Sequence, residues 1–206
     1  MDDQKYIYSP EDIKFIVSEA ARAGLKVAAH CLTEQGARNA ILGGVASIEH
    51  GFRMSDEALL LAKQNNVVLV GTDFTVPAAE ALGLPPPIAK QFHDVFIDRL
   101  KRAFRIGVTM AYGTDTFAEV EGQTRGTMAI SFIDSFVEAG VPPKDTLRIM
   151  TTNAAKLLGV EKQRGSIAAG MFADIIATPD NPLDNIQTLK SVSFVMKNGT
   201  VIKQAK

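Results

Sequence analysis

Short apolar runs alternating with amphipathic helical segments predict an α/β chain built on a parallel sheet. Three observations carry this expectation. Residues 26–30 and 46–50 are short runs that each end in a histidine, and a helical segment separates them. Residues 67–70 (Val-Val-Leu-Val) are apolar on both faces, as a strand covered on both sides must be. The segments between the runs are long enough for the crossover helices that parallel strands require. With a further run at 108–112 the chain holds four βα units, half of an eight-stranded (β/α) barrel, and a small β appendage follows them. Half a barrel leaves two strand edges and one sheet face unsealed.

Taken in order, Ser9-Pro10-Glu11-Asp12 opens a helix: a capping serine, proline at the first position and acids in the first turn. Ile13, Ile16, Val17 and Ala20 form its apolar stripe, and Gly24 ends it. A strand at 26–30, a helix over 33–42 and a strand at 46–50 come next. Ser55-Asp56-Glu57 starts a helix that runs to about residue 65, ahead of the strand at 67–70. The stretch 71–87 reads as a long loop, with Pro77 and the triplet Pro85-Pro86-Pro87. It suits either a pocket-shaping connection or a solvated excursion. A helix over 88–105 carries His93, which reads as a surface or boundary residue. Helical pieces are expected over about 126–139, 143–150 and 151–158. From Gly165 the pattern changes to short strands and turns, and Asn198-Gly199 between alternating apolar residues signals a hairpin.

Composition narrows the classes. The 206 residues are 46% hydrophobic, enough for one sizeable core or one core with a small appendage. Basic and acidic residues number 22 and 23, for a net charge of −1, and no basic run offers a nucleic-acid footprint. No apolar span of membrane length and no opening signal segment are seen, so a soluble, cytoplasmic chain is expected. The single cysteine, Cys31, excludes an internal disulfide framework and a cysteine-rich zinc site. Next to His30 on its strand, it should face the opposite side as buried filler.

The chemistry concentrates at strand ends. His30 ends the first strand, His50 the second, and Asp115 follows the fourth in Gly113-Thr114-Asp115. Taken singly, each histidine reads as an ordinary hydrogen-bonded residue and the aspartate as a turn cap. Together, the C-terminal ends of parallel strands would aim all three into one mouth. Two histidines and an aspartate are ligands of the type a catalytic zinc takes, with a position left for water. The bound ion would make that water a nucleophile near neutral pH, and the carboxylate could take its proton. Gly71-Thr72-Asp73 repeats the same tripeptide after the third strand, and spacing alone leaves either aspartate as the ligand.

The ordered set of motifs resembles the C-terminal half of the amidohydrolase superfamily, in particular its imidazolonepropionase-like and Xaa-Pro-dipeptidase-like members. The motifs are V-A-A-H at 27–30, S-I-E-H-G at 47–51, Y-G-T-D-T at 112–116 and T-x-N-A-A-K-L-L-G at 151–159. G-S-I-A-A-G-M-F-A-D-I-I at 165–176 and the V-M-K-N-G hairpin complete the set. The resemblance implies a metal-bearing (β/α)₈ barrel with a small β-sandwich. Residues 1–160 would supply barrel strands five to eight, and 161–206 part of the sandwich. His30 then matches the fifth-strand ligand, His50 the sixth-strand ligand, and Asp115 the eighth-strand aspartate that binds metal and shuttles the proton. Asp73 falls on the seventh strand, which bears no ligand, and is left to face the substrate.

The family's first-strand His-x-His pair and its fourth-strand ligand, often a carboxylated lysine, have no counterpart here. Lys5 lies after the place of that lysine and is not assigned. The expected function is a metal-dependent hydrolase of a non-aromatic C–N bond, amide or peptide-like, with zinc as cofactor. Its partners would be a small-molecule or short-peptide substrate, and neither nucleic acid nor membrane. The competing expectation is an inactive half-barrel, a truncated or proteolysed product that associates with itself or with a missing N-terminal half.

Overall fold

The computed structural model describes residues 7–117, 120 and 122–204, so Lys5 lies outside the described residues. Helix α1 (Pro10–Arg22) starts on Ser9, whose hydroxyl accepts from the Asp12 amide while the Asp12 carboxylate accepts from the Ser9 amide. Strand β1 (Ala28–Cys31), helix α2 (Glu34–Gly43), strand β2 (Ser47–His50), helix α3 (Asp56–Gln64) and strand β3 (Val68–Val70) follow. Thr33 and Ser55 cap α2 and α3 through their hydroxyls. The three strands form a parallel sheet in the order β1-β2-β3, so the expected α/β alternation is present.

Two expectations need correction. Residues 108–112 do not form a full strand. They join the sheet by the single parallel bridge Leu69–Met110, with Leu69 N–H donating to Thr109 and Ala111 N–H to Leu69. Tyr112 then leaves the ladder and donates to the Ile149 carbonyl oxygen. The stretch 71–87 is not one long loop either, because helix α4 (Val76–Ala81) forms within it. Thr75 caps α4, and Pro77, read as a loop marker, sits in its first turn where a missing N–H costs nothing. Likewise α5 (Pro86–Ile106) begins inside the proline triplet.

One face of the sheet is sealed by helices. Ile48, Leu69, Ala37, Ile41, Leu59 and Leu100 belong to a single buried cluster. Cys31 lies in it, 6% exposed, and burial, then Glu49, push its thiol up to about 11. The opposite face is only partly covered. Val68, Val70 and Ala111 pack on Ala154 and Leu157 of α9 (Ala154–Leu158), beside an open cavity of about 390 Å³ that also reaches Glu49. A second opening of about 490 Å³ lies between α1 and β1, the outer strand of the sheet, lined by Ile13, Ile16, Val27 and Leu32 among others.

The chain from 125 onward continues through α6 (Arg125–Ser131), α7 (Ile133–Glu138), α8 (Pro143–Arg148) and a π-helical turn (Ile149–Asn153) into α9. Strands β4 (Ile175–Ala177), β5 (Phe194–Lys197) and β6 (Thr200–Gln204) form a separate antiparallel sheet. Asn198 and Gly199, both at positive φ, make the tight β5–β6 turn. A 3₁₀ helix (Ile186–Ser191) ties this region to α7: Gln187 and Lys190 donate to Asp134, and Ile186 and Leu189 pack on Ile133. Among the described residues no helix is long and apolar enough to cross a membrane.

The α1–α2 contact depends on Gly43. A Cβ there would collide with Ile13 and lie 3.2 Å from the Pro10 carbonyl oxygen. Alanine in a helix gains about 1 kcal/mol over glycine, but overpacking costs about 1–3 kcal/mol. Ile13 is struck at its Cβ, which is fixed to the backbone, so the cost should win. Gly43→Ala is therefore expected to lower the urea midpoint, and a raised midpoint would show that α1 moves freely on α2.

Candidate functional site

The parallel register pairs Cys31 with His50 and His30 with Glu49, which places His30 and His50 one residue apart along the strands. In a regular pleat that offset would send the two rings to opposite faces. His50 escapes the pleat by adopting φ 66°. The rings then meet edge to face, centroids 4.6 Å apart and planes at 74°. Both lie at the C-terminal end of the sheet. Asp115, at φ 46°, is exposed beyond the residues that add to β3.

Left-handed backbone recurs along this rim. Among the described residues, five that are not glycine have positive φ: two are asparagines, Asn66 and Asn198, and the others are His50, Thr72 and Asp115. Asparagine tolerates this region, but a β-branched threonine rarely enters it. Such conformations cost about 1–3 kcal/mol each and persist where surrounding structure enforces them.

The enforcing structure is visible around residues 71–75. Arg99 on α5 is fully buried and ion-paired with Asp73, itself 2% exposed. The Arg99 Nη2 also lies 3.4 Å from the Gly71 carbonyl oxygen. A Cβ on Gly71 would collide with both the Asp73 carboxylate and Arg99, so glycine is required there. Thr72 donates its hydroxyl proton to the Gly71 carbonyl at 2.7 Å, and His50 Nδ1 lies 2.5 Å from the same hydroxyl oxygen. The Phe74 carbonyl faces His93 Nδ1 at 3.1 Å, and Thr75 caps α4. His93 is thus no surface residue: it is 6% exposed, and its Nε2 lies 2.8 Å from Glu138. The turn needs a partner for its carbonyl, and α5 supplies it.

The electrostatics follow from burial. Desolvation pushes the Asp73 carboxyl above its ordinary range although Arg99 pulls it back, and it pushes Arg99 down against the pull of Asp73. Burial, and then His30, lower the pKa of His50, against the opposing field of Asp115. Glu49 is raised by burial, with the Ser47 hydroxyl opposing and Asp115 adding to the rise. Asp115 is therefore near enough for its charge to reach both His50 and Glu49.

Beside His50 and Asp115 is a cavity of about 100 Å³, walled by Phe74, Leu82, Met128 and Phe132. Thr72, Thr114 and Thr116 add hydroxyls, and the Thr116 Oγ1 is buried with no hydrogen-bond partner among the described residues. Among the described residues no group of three or more His, Cys, Asp or Glu is drawn together closely enough to hold a metal ion. The geometry brings His30 and His50 into contact with Asp115 within electrostatic reach. Asp73 is set apart, its carboxylate spent on Arg99 instead of facing the cavity. Sequence reasoning missed Thr72, Arg99 and Thr116. The one local signal was Arg99 beside the apolar stripe of α5, next to Phe96 and Leu100.

A parallel α/β sheet that gathers imidazoles and a carboxylate at the C-terminal ends of its strands has the layout in which barrel enzymes place their chemistry. The chain belongs to the Amidohydrolase family, which it matches over residues 1–202. It is 31% identical over 206 residues to ochratoxinase of Aspergillus niger, a match spanning 95% of this chain and 42% of that protein. It is 29% identical to imidazolonepropionase of Symbiobacterium thermophilum, over 95% of this chain and 44% of the relative. Among solved structures, a Xaa-Pro dipeptidase with methionine bound in its active site superposes with a TM-score of 0.82 at 33% identity. That match covers 95% of this chain and 49% of the dipeptidase. The chain thus spans about half the length of these relatives.

Removing one side of a buried ion pair strands the other charge and costs about 3–5 kcal/mol, whereas replacing both sides with apolar groups can be nearly neutral. Arg99→Met is expected to lose stability on that scale in urea unfolding. The double variant Arg99→Met, Asp73→Leu should recover part of the loss. A double variant as unstable as the sum of its singles would show that the two side chains act independently.

Proposed function

We propose that the chain carries the second half of a metal-dependent hydrolase acting on a non-aromatic C–N bond, amide or peptide-like. In this reading residues 1–160 correspond to strands five to eight of a (β/α)₈ barrel, and 161–206 to part of a β-sandwich. The observation that carries it is the contact of His30 and His50 at the strand ends, with Asp115 lining the same small cavity as His50. The donor chemistry fits a divalent ion such as zinc: two imidazoles and a carboxylate, with Nδ1 of His50 engaged by Thr72 and Nε2 left over. The remaining ligands would come from outside these residues, where the relatives have the other half of their length.

A divalent ion held there supplies a water of lowered pKa and polarises the scissile carbonyl. This chain's own contribution is proton management and fit. The Asp115 carboxylate accepts a proton from the attacking water and returns it to the nitrogen as the C–N bond breaks. The cavity walled by Phe74, Leu82, Met128 and Phe132 suits an apolar side chain on the substrate. The methionine bound in the active site of the related dipeptidase likewise carries an apolar side chain.

Zinc titrated calorimetrically into the metal-free chain is expected to bind at one site, more weakly than a complete ligand set would allow. His50→Ala should weaken it at least tenfold, about 1.4 kcal/mol. With zinc present and the family's other half supplied in trans, N-acyl-methionine and N-acyl-leucine should be hydrolysed in preference to N-acyl-glycine, and Asp115→Asn should abolish turnover. Zinc affinity indifferent to His50→Ala would overturn the reading.

A second reading concerns association. Among the described residues no strand pairs with the outer edge of β1, and the face bearing Ser47, Glu49 and Val70 is half covered. Exposed edges and apolar faces of this kind invite pairing. The chain by itself is then expected to self-associate, two copies covering each other's open faces. Sedimentation at micromolar concentration should show a dimer; a stable species at 22.2 kDa would rule this out.

A further inference from the structure

We infer that Thr72 is a positioning residue that fixes His50 as its Nδ1–H tautomer, leaving the Nε2 lone pair for the mouth. The protons available around Thr72 decide which tautomer is held. A threonine hydroxyl has one proton to give and lone pairs to receive. The Thr72 hydroxyl is 2.7 Å from the carbonyl oxygen of Gly71, a group that can only accept, so its proton is spent there. The same oxygen lies 2.5 Å from His50 Nδ1. With the hydroxyl proton committed, the contact is favourable only if Nδ1 carries a hydrogen and donates it. In a neutral imidazole the other nitrogen is then unprotonated. Among the described residues Nε2 has no hydrogen-bond partner.

The reverse arrangement, with Thr72 donating to Nδ1, would take the hydroxyl proton away from Gly71. The Gly71 carbonyl would keep only the long 3.4 Å approach of Arg99. A carbonyl in a buried turn is costly to leave short of donors, which favours the first arrangement.

What holds Thr72 in this role is not local. Its φ of 50° is unfavourable for a β-branched residue. The residues on either side are pinned by one guanidinium: Arg99 pairs with Asp73 and approaches the Gly71 carbonyl. Arg99 has no other exit, being fully buried on α5 with the Phe96 ring 5.5 Å away. Positioning therefore runs from α5 through the turn to the ring of His50. The use of the free Nε2 as a metal ligand rests on the proposed function; the tautomer itself does not.

The test uses the 206-residue chain, metal-free and labelled with nitrogen-15 in its three histidines, at a pH where the rings are neutral. Two-bond proton–nitrogen correlation spectra distinguish the tautomers, and His50→Gln assigns the His50 signals by their loss. The unsubstituted chain is expected to show His50 with a protonated Nδ1 and an unprotonated Nε2. Thr72→Val should move both nitrogens toward the averaged shifts of a free imidazole, and Thr72→Ser, which keeps the hydroxyl, should restore the fixed tautomer. Zinc affinity should fall 10–100-fold in Thr72→Val, as for lost outer-shell partners in general, and recover in Thr72→Ser. A protonated Nε2 in the unsubstituted chain overturns the inference without any variant, even if Thr72→Val does not fold. An unchanged His50 spectrum in a folded Thr72→Val does so too. A fixed Nδ1–H tautomer together with zinc affinity indifferent to His50→Ala would instead leave the positioning role standing and remove the metal reading.

Discussion

The buried pair of Arg99 and Asp73 is the interaction on which the arrangement of the strand ends depends. It is an expensive one, since both charges leave water and desolvation outweighs their mutual attraction in setting the pKa of each. Buried ion pairs of this kind contribute little net stability and are better understood as fixing one geometry among several. Here the geometry fixed is a five-residue turn. Gly71 provides the close approach, Asp73 the charge, Phe74 a carbonyl for His93, and Thr75 the cap of α4. Thr72, at the centre of these fixed points, has a left-handed conformation it would not choose alone.

The site therefore combines two kinds of restraint. Strand pairing sets how far along the sheet His30 and His50 lie. Departures from the pleat set which way they face, and those departures are strained. The strain falls at His50, at Thr72 just beyond β3 and at Asp115 past the Leu69–Met110 bridge, and α5 holds the Thr72 turn through Arg99. A regular sheet with the same residues would send the rings of His30 and His50 to opposite sides.

Much of this was legible in the sequence, and what was not has identifiable causes. Capping residues such as Ser9 and Ser55, and the apolar run at 67–70, mark element starts and buried strands because those signals are local. His30 and His50 stand out because each closes a short apolar run. Pro77 misled because proline signals a loop and a helix start equally well. The two Gly-Thr-Asp tripeptides show the limit most clearly. Asp73 is buried against an arginine twenty-six residues away, while Asp115 is exposed at the rim. Nothing within either tripeptide distinguishes them, because the difference is made by α5.

That α5 holds the turn has a consequence for motion. A surface loop ordinarily opens by itself, at a free-energy cost well below that of unfolding the whole chain. The 71–75 turn cannot follow that habit, because Arg99 and His93 reach it from a helix whose Leu100 and Ala103 are part of the main core. To open it, α5 has to come away from the sheet. The turn is accordingly tied to the same cooperative unit as the core, although it sits at the rim of the mouth.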